Sequence, residues 1–435
     1  MRISKPRATL ALLTIIYVAN FVDRQLVGIL AQPMKMELGL SDAQLGLLGG
    51  LAFALFYTTL GLPIARIAER RSRVGVIALS LALWSVMTAS CGLARSFPQL
   101  LLARLGVGVG EAGYVPAAQS LIADLYPAER RAGALATFSL GIPIGMLAGA
   151  IAGGWLAQSL GWRIAFIALG LPGLVLAGIV AFVLREPVRG GRDAVRSPDA
   201  PPLPAVLAQL LRAPGFVDMA IGASIASFAG YGLTSFAVPL LIRAYDLPLR
   251  TAATGFGLVA GVAIGLGIGG GGWLADRFGG RYRGSGGYVA MGGMIVAGLF
   301  VPIVLSLGNV WAFGIAAFLP LACAHLYFGP TYGVTTNSVG GAARATAVAI
   351  LLMAMNAIGL GLGPLAVGLL SDHLAATALP GFAESCTAVL STTAQCRDAS
   401  AYGLVTALRI DALFYLWAAC HFLRAARALR RVRPV

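Results

Sequence analysis

Two adjacent charges, Asp23 and Arg24, lie inside the first long apolar stretch of this chain, and Arg104 and Glu111 lie inside the fourth. A charge at bilayer depth costs at least about 2.5–3.5 kcal/mol on insertion scales. Burial raises the proton affinity of a carboxylate, and a neighbouring arginine lowers it. A carboxylate beside an arginine in an apolar surrounding can therefore exchange a proton, and the arginine can hold an anion. Asp23 and Glu111 are the candidate proton carriers, and Arg24 and Arg104 the candidate anion binders. The seven-residue step from Arg104 to Glu111 advances a helix by about 10.5 Å and nearly two whole turns. The two therefore share one face at different depths. The competing reading is an inert ion pair locking the N-terminal half, since a buried pair is weak evidence for stability.

The elements that must position these groups are transmembrane helices. Of 435 residues, 58% are hydrophobic and 11% charged, against roughly 25% charged in soluble proteins. The apolar runs are too long for barrel strands. We read twelve spans: 8–32, 43–66, 74–94, 97–123, 133–157, 162–184, 215–242, 251–274, 285–307, 310–336, 343–371 and 407–424. The basic start leads into a span too long and too polar for a signal peptide. The net charge of +15 sits in short clusters between spans, which is an orientation signal and not a nucleic-acid surface. Most Lys and Arg residues fall on the side of the two termini, which predicts cytoplasmic termini.

Residues 185–214 carry Pro187, Pro198, Pro201, Pro202 and Pro204 among charges and glycines. No apolar period is evident there, so the segment reads as a linker between six-helix halves, 1–184 and 215–435. The halves echo each other in their second loops, Ala65-Arg-Ile-Ala-Glu69-Arg70 and Gly272-Trp-Leu-Ala-Asp276-Arg277. Two such repeats with a site between them at mid-membrane is a transporter plan.

The segment Gly272-Trp-Leu-Ala-Asp276-Arg277-Phe-Gly279 resembles the loop motif of the major facilitator superfamily. The first copy departs from it with Ala65 and Glu69. Arg104-Leu-Gly106-Val-Gly108-Val-Gly110-Glu111-Ala-Gly113 fits the same superfamily. Within it, Asn20-Phe-Val-Asp23-Arg24-Gln25, Leu40-Ser-Asp42-Ala-Gln44, Phe53-Ala-Leu-Phe-Tyr57 and Gly161-Trp162-Arg163 resemble the bacterial spinster-like branch. That resemblance implies an all-α integral membrane protein with two pseudo-symmetric six-helix bundles, moving its substrate by alternating access with proton coupling. Eukaryotic relatives move lysolipids and lysosphingolipids, which implies an amphipathic or anionic lipid-like substrate. Organic-anion and sugar-acid symporters look similar and are the alternative. The resemblance also implies that spans one and four line a cavity, where Asp23 would reach Arg104. It implies that Glu69, Arg70, Asp276 and Arg277, joined by Asp124 and Arg130, latch the cytoplasmic side.

In the C-terminal half, His325 is the one ionisable residue we place well inside a span. Around it lie Tyr327, Phe328 and Tyr332, with Phe228, Tyr231 and Phe236 in span seven. One charged wall facing one apolar-aromatic wall suits a molecule with a polar head and an apolar tail. Ordinary helix packing is the alternative. Asn20, Tyr57, Tyr114, Gln119, Asn337 and Asn356 are neutral polar residues at cavity depth. The glycine ladder Gly141, Gly145, Gly149 and Gly153, with Gly359–Gly363, reads as close helix contact. Cys386 and Cys396 share one outer loop, which makes them a candidate disulfide. No zinc spacing, nucleophile elbow or P-loop is present, so no metal, cofactor or enzyme is expected. A membrane enzyme or a receptor is the different-class alternative. Arg-rich, Lys-poor usage together with the resemblance suggests a bacterial inner membrane. The expected partners are a small substrate and the bilayer, with no nucleic acid, and the chain is expected to be monomeric.

Overall fold

A computed structural model describes residues 5–187, 201–279, 284–340, 343–386 and 393–431. The twelve spans are helical. Span one is α1 (Pro6–Leu38) and span two is α2 (Asp42–Gly49) with α3 (Leu51–Arg70). Span three is α4 (Arg73–Cys91), and span four breaks into α5 (Phe97–Glu111) and α6 (Tyr114–Leu125). Span five is α7 (Ala128–Ser139) with α8 (Gly141–Leu160), and span six is α9 (Trp162–Gly170) with α10 (Pro172–Val183). After α11 (Leu203–Arg212) come span seven, α12 (Phe216–Tyr245), span eight, α13 (Leu249–Gly279), and span nine, α14 (Ser285–Val304). Span ten is α15 (Val310–Cys323) with α16 (Phe328–Asn337). Span eleven is α17 (Arg344–Met355), a π-helical turn at Asn356–Leu360 and α18 (Gly361–Ala378). The short α19 (Phe382–Ser385) precedes span twelve, α20 (Ala394–Arg431). Eleven spans among the described residues are long and apolar enough to cross a membrane as continuous elements, and broken span four is the twelfth.

Two expectations need correction. The linker is not without an apolar period: α11 is amphipathic and buries Val206 and Leu210 against Phe216, Val339, Ala343 and Ala347. Its proline-rich neighbours hid a pattern only ten residues long. Span twelve begins at Ala394 and not near residue 407, because polar Gln395, Arg397 and Asp398 extend the helix beyond the apolar run. Cys386 and Cys396 are joined as a disulfide at the start of that helix, with Cα atoms 5.6 Å apart.

Glycines set the helix spacing. On span five, Gly145 faces Val18 and Phe21, Gly149 faces Val22 and Gly153 faces Leu26, so that span lies directly on α1. A Cβ at Gly108 would lie 2.5 Å from the Phe53 carbonyl, and one at Gly110 2.6 Å from the Trp84 nitrogen. Span four is thereby seated against spans two and three, and its break falls at Ala112–Gly113, immediately after Glu111.

The two halves are joined at the face opposite the termini. Gly39, at φ 64°, ends α1, and Ser41 with Gln44 caps α2 by mutual hydrogen bonds. The turn delivers Asp42, 1% exposed, to the seam. Its carboxylate accepts from Lys35 Nζ (2.6 Å), from Arg243 Nη1 and Nη2 (2.6 and 2.8 Å) and from Ser371 Oγ (2.6 Å). Asp372 in turn accepts from the backbone N–H groups of Asp42 (2.9 Å) and Ala43 (2.8 Å), capping α2 from the other half. Arg243 Nε donates to Gln32 (2.7 Å). Cβ atoms added at Gly46 and Gly368 would lie 2.2 Å from the carbonyls of Pro364 and Asp42, so backbone meets backbone here. Among the described residues, no side-chain hydrogen bond or ion pair joins the halves at the terminal face. The described polar contacts that hold the seam are gathered at the far face.

The N-terminal half has its own charged lock at the terminal face. Buried Arg73 pairs with Asp124, donates to Glu186 (2.7 Å) and reaches Ser120 (3.0 Å) and the Pro187 carbonyl (3.1 Å). Burial pushes the Glu186 carboxyl up, but hydrogen bonds from the Val74 N–H, Arg73 and Ser72 outweigh that and hold it below its ordinary range. Its stabilising contribution is present above the ordinary carboxylate pKa and is lost as pH falls through the lowered one.

Two outcomes follow. Between about pH 5 and pH 3, wild-type thermal stability falls more steeply than that of Glu186→Gln; parallel curves refute the lock. Arg243→Met leaves Asp42 short of one cation, at a cost of about 3 kcal/mol. It lowers the melting temperature in detergent by several degrees, and an unchanged value would mean that Lys35 alone neutralises Asp42.

Candidate functional site

A cavity of about 210 Å³ lies between the halves. Phe21, Arg24, Gln25, Phe53 and Arg104 form one wall. Tyr231, Thr234, His325, Tyr327 and Phe328 belong to the other. One wall is cationic and the other aromatic and apolar.

Arg24 projects from mid-α1. Its Nε donates to Glu111 Oε2 at 2.7 Å. Its guanidinium carbon lies 4.5 Å from the Tyr57 ring centre, 5.0 Å from Phe53 and 5.1 Å from Phe21. Three aromatic faces thus hold the cation through their quadrupoles, while its Nη2 has no hydrogen-bond partner. Glu111 is fully buried at the span-four break, and its Oε1 is also unpartnered. Asn20, one turn before Arg24 and fully buried, has neither amide atom hydrogen-bonded.

The expected Asp23–Arg104 pair is not formed. Asp23, 2% exposed, faces away from the cavity, where Oδ2 accepts from Thr88 at 3.3 Å and Oδ1 is unpartnered. Adjacent helical residues point about 100° apart, so Asp23 and Arg24 cannot both face the seam, and Arg24 takes it. Arg104 lines the cavity, donates from Nε to the Leu48 carbonyl at 3.3 Å and lies 5.5 Å from the Phe53 ring, with Nη1 unpartnered. The ion pair at the cavity is therefore Arg24–Glu111.

Other sequence candidates divide. Tyr231 and His325 line the cavity. The His325 ring hydrogen-bonds through Nδ1 to the Leu321 carbonyl of its own helix (2.9 Å) and lies parallel to Phe328. Tyr57 belongs to the Arg24 cage. Tyr332 extends the aromatic row through Phe328 but does not line the cavity. Tyr114 is a packing residue, donating to the Leu13 carbonyl among Tyr17, Trp84 and Phe138. Phe228 packs on Phe414 at 4.9 Å, and Phe236 is core. Gln119 and Asn337 are exposed, and Asn356 opens the π-helical turn. Asp276, Arg277 and Arg130 are exposed, and no ion pair among the described residues involves Asp276 or Arg277. Asp124 is bound to Arg73 within its own half. The side chains of Glu69 and Arg70 lie outside the described residues.

His325 is not alone at depth in the C-terminal half. Asp411 of α20 is 4% exposed beside Gly232, with Oδ1 unpartnered. The span read as 407–424 leaves Asp411 about one turn from its start, whereas the helix begins at Ala394. Sequence reasoning also missed Phe21 and Phe53 as cage walls, and the assembly of Lys35, Asp42 and Arg243 at the far face. The one available signal was an arginine spaced i, i−3 from Phe21 on a helix otherwise without cations at that depth.

The Major Facilitator Superfamily model matches residues 13–364. An MFS-type efflux pump of Mycolicibacterium smegmatis is 35% identical over 84% of this chain and 85% of its own. Human protein spinster homolog 1 is 28% identical, over 92% of this chain and 80% of its own. The crystal structure of a bacterial homolog to the human lysosomal transporter spinster, inward-facing and unoccupied, superposes with TM-score 0.90 at 31% identity, covering both chains entirely. The occupied form of that homolog gives 0.88 at 32%. These relatives are transporters and not enzymes. With twelve spans in two bundles, a seam closed at one face and a charged cavity at mid-depth, this chain belongs to the major facilitator superfamily and is a spinster-like transporter.

Proposed function

We propose that this chain is a proton-coupled transporter of an amphipathic anion of lysophospholipid or lysosphingolipid type, working by alternating access. The observation that carries the reading is the Arg24–Glu111 pair on one cavity wall, opposite an apolar-aromatic wall. While Glu111 is ionised, its charge and its 2.7 Å hydrogen bond occupy Arg24. A proton on Glu111 cancels that charge, and Arg24, still held by three rings, turns its guanidinium to an anionic head group with Arg104 beside it. Charge in the cavity stays balanced whether Glu111 is ionised and the cavity empty, or Glu111 is protonated and an anion bound. That balance couples the two occupancies. Asp23, buried against Thr88, is the second candidate proton carrier.

A cavity volume of about 210 Å³ is below the roughly 300–1,000 Å³ of pockets that hold a drug-sized ligand. It suits a head group, with the tail lying along Tyr231, Phe328 and Tyr332 toward the open face. The Lys and Arg bias supports a cytoplasmic terminal face, and with the far face closed it favours an inward-facing reading in a bacterial inner membrane. In the opposite state the Asp276–Arg277 and Glu69–Arg70 loops would meet. Export suits the likeness to the efflux pump of Mycolicibacterium smegmatis. A second reading, a sugar-acid symporter, rests on the two arginines alone. The matching probable L-galactonate transporter of Escherichia coli is 29% identical over only 39% of this chain, and the opposite wall offers few donors for a polyol.

In liposomes with an imposed pH gradient, Glu111→Gln lowers gradient-driven lysolipid transport by roughly tenfold or more, the effect of about one pKa unit of lost coupling energy. Asp23→Asn tests the other carboxylate. Full gradient-driven transport in both variants excludes the mechanism. Arg24→Gln raises the half-saturating lysolipid concentration roughly tenfold by removing one charge-assisted contact, and faster uptake of a sugar acid than of lysolipid by wild type selects the second reading.

A further inference from the structure

A second cavity lies away from the seam centre, toward the far face. It measures about 860 Å³ and opens sideways between spans five, seven, eight, nine and ten. Its walls are apolar, including Leu233, Leu258, Val301 and Phe313. Its polar lining is gathered at one end, on the first turns of α13, in Arg250, Thr251 and Thr254. Three features of that end point to a ligand. Arg250 is exposed and enters no ion pair among the described residues, and its guanidinium instead lies 5.3 Å from the Trp155 ring centre. The Thr254 hydroxyl, buried one turn deeper, has no hydrogen-bond partner. Trp155 and Trp311, 52% and 80% exposed, flank the mouth, and exposed tryptophans mark the head-group level of a bilayer.

We propose that this groove binds an anionic phospholipid of the far-face leaflet, with its phosphate at Arg250 and an acyl chain along the apolar wall. A basic residue at head-group depth above a lipid-facing cleft is the chemistry that selects an anionic head group. The site spans the seam. Trp155 comes from the N-terminal half and Arg250 from the C-terminal half, and the Arg250 N–H donates to Gln158 across it at 2.8 Å. A bound lipid therefore touches both halves only while the far face is closed, and it favours the closed-seam state described here. The proposal concerns a bilayer lipid at a separate site and is independent of the transported substrate.

Native mass spectrometry of the full chain, extracted from nanodiscs of phosphatidylglycerol and phosphatidylcholine, tests it. The wild type is expected to retain one phosphatidylglycerol in preference to phosphatidylcholine. Arg250→Gln reduces that preference about fivefold, the effect of one interfacial cation. Gly255 and Gly314 line the groove with open space where a Cβ would stand, so Gly255→Leu and Gly314→Phe fill it without displacing backbone and release the lipid. Equal retention of the two lipids by the wild type overturns the proposal. So does a preference unchanged in Arg250→Gln, undiminished retention in both filled variants, or retention of a second copy of the chain in place of lipid.

Discussion

A charge that cannot reach water must find a partner inside the protein, and this molecule meets that requirement in two contrasting ways. At the far face, Asp42 accepts four short hydrogen bonds from Lys35, Arg243 and Ser371. Such a carboxylate is saturated and has no vacancy for anything else. At the cavity and just behind it, Glu111, Arg24, Arg104, Asp23 and Asn20 each keep at least one polar atom without a partner. Unsatisfied buried groups cost roughly 1–3 kcal/mol each, so this cluster is the costly part of the buried polar network. The saturated node ties the halves together, and the unsaturated one is the ground for the exchange proposed above.

The unsaturated cluster owes its position to backbone more than to side chains. Span four is broken directly after Glu111, so the carboxylate sits where the regular i→i−4 ladder is interrupted. Glycines at 108 and 110 bring that break onto Phe53 and Trp84. Interrupted helices at membrane depth are tolerated where they are buried in protein or line a cavity, and here the interruption delivers a charge to the seam. Span eleven repeats the device with its π-helical turn at Asn356–Leu360, whose last residue lines the same cavity.

Much of this was legible in the sequence. Hydropathy fixed the number of spans, and the recurring Asp276-Arg277 and Glu69-Arg70 loops exposed the doubled plan. Charges at depth are rare enough to stand out in the sequence, and the structure gathers three of them, Arg24, Arg104 and Glu111, at the cavity. Their pairing was not legible. Asp23 and Arg24 are neighbours in sequence, and only the packing of α1 on span five decides which one faces the seam. The Phe21, Phe53 and Tyr57 cage needs residues from two spans at once, and single-sequence periodicity carries no register between helices. Asp42, Lys35 and Arg243 looked like loop charges because helix ends and loops have the same composition. Asp411 was overlooked because the polar run at Gln395, Arg397 and Asp398 hid the first turns of span twelve and left it close to the apparent start.

The contact of Gly46 with Pro364 and of Gly368 with Asp42 has a consequence for what can leak. At those two crossings bare backbones meet with no side chain between them, and a row of waters needs at least about one probe sphere of 10–15 Å³ per molecule. Protons travel along water rows. A seal made of glycine backbone therefore leaves less room for such a row than one made of side chains.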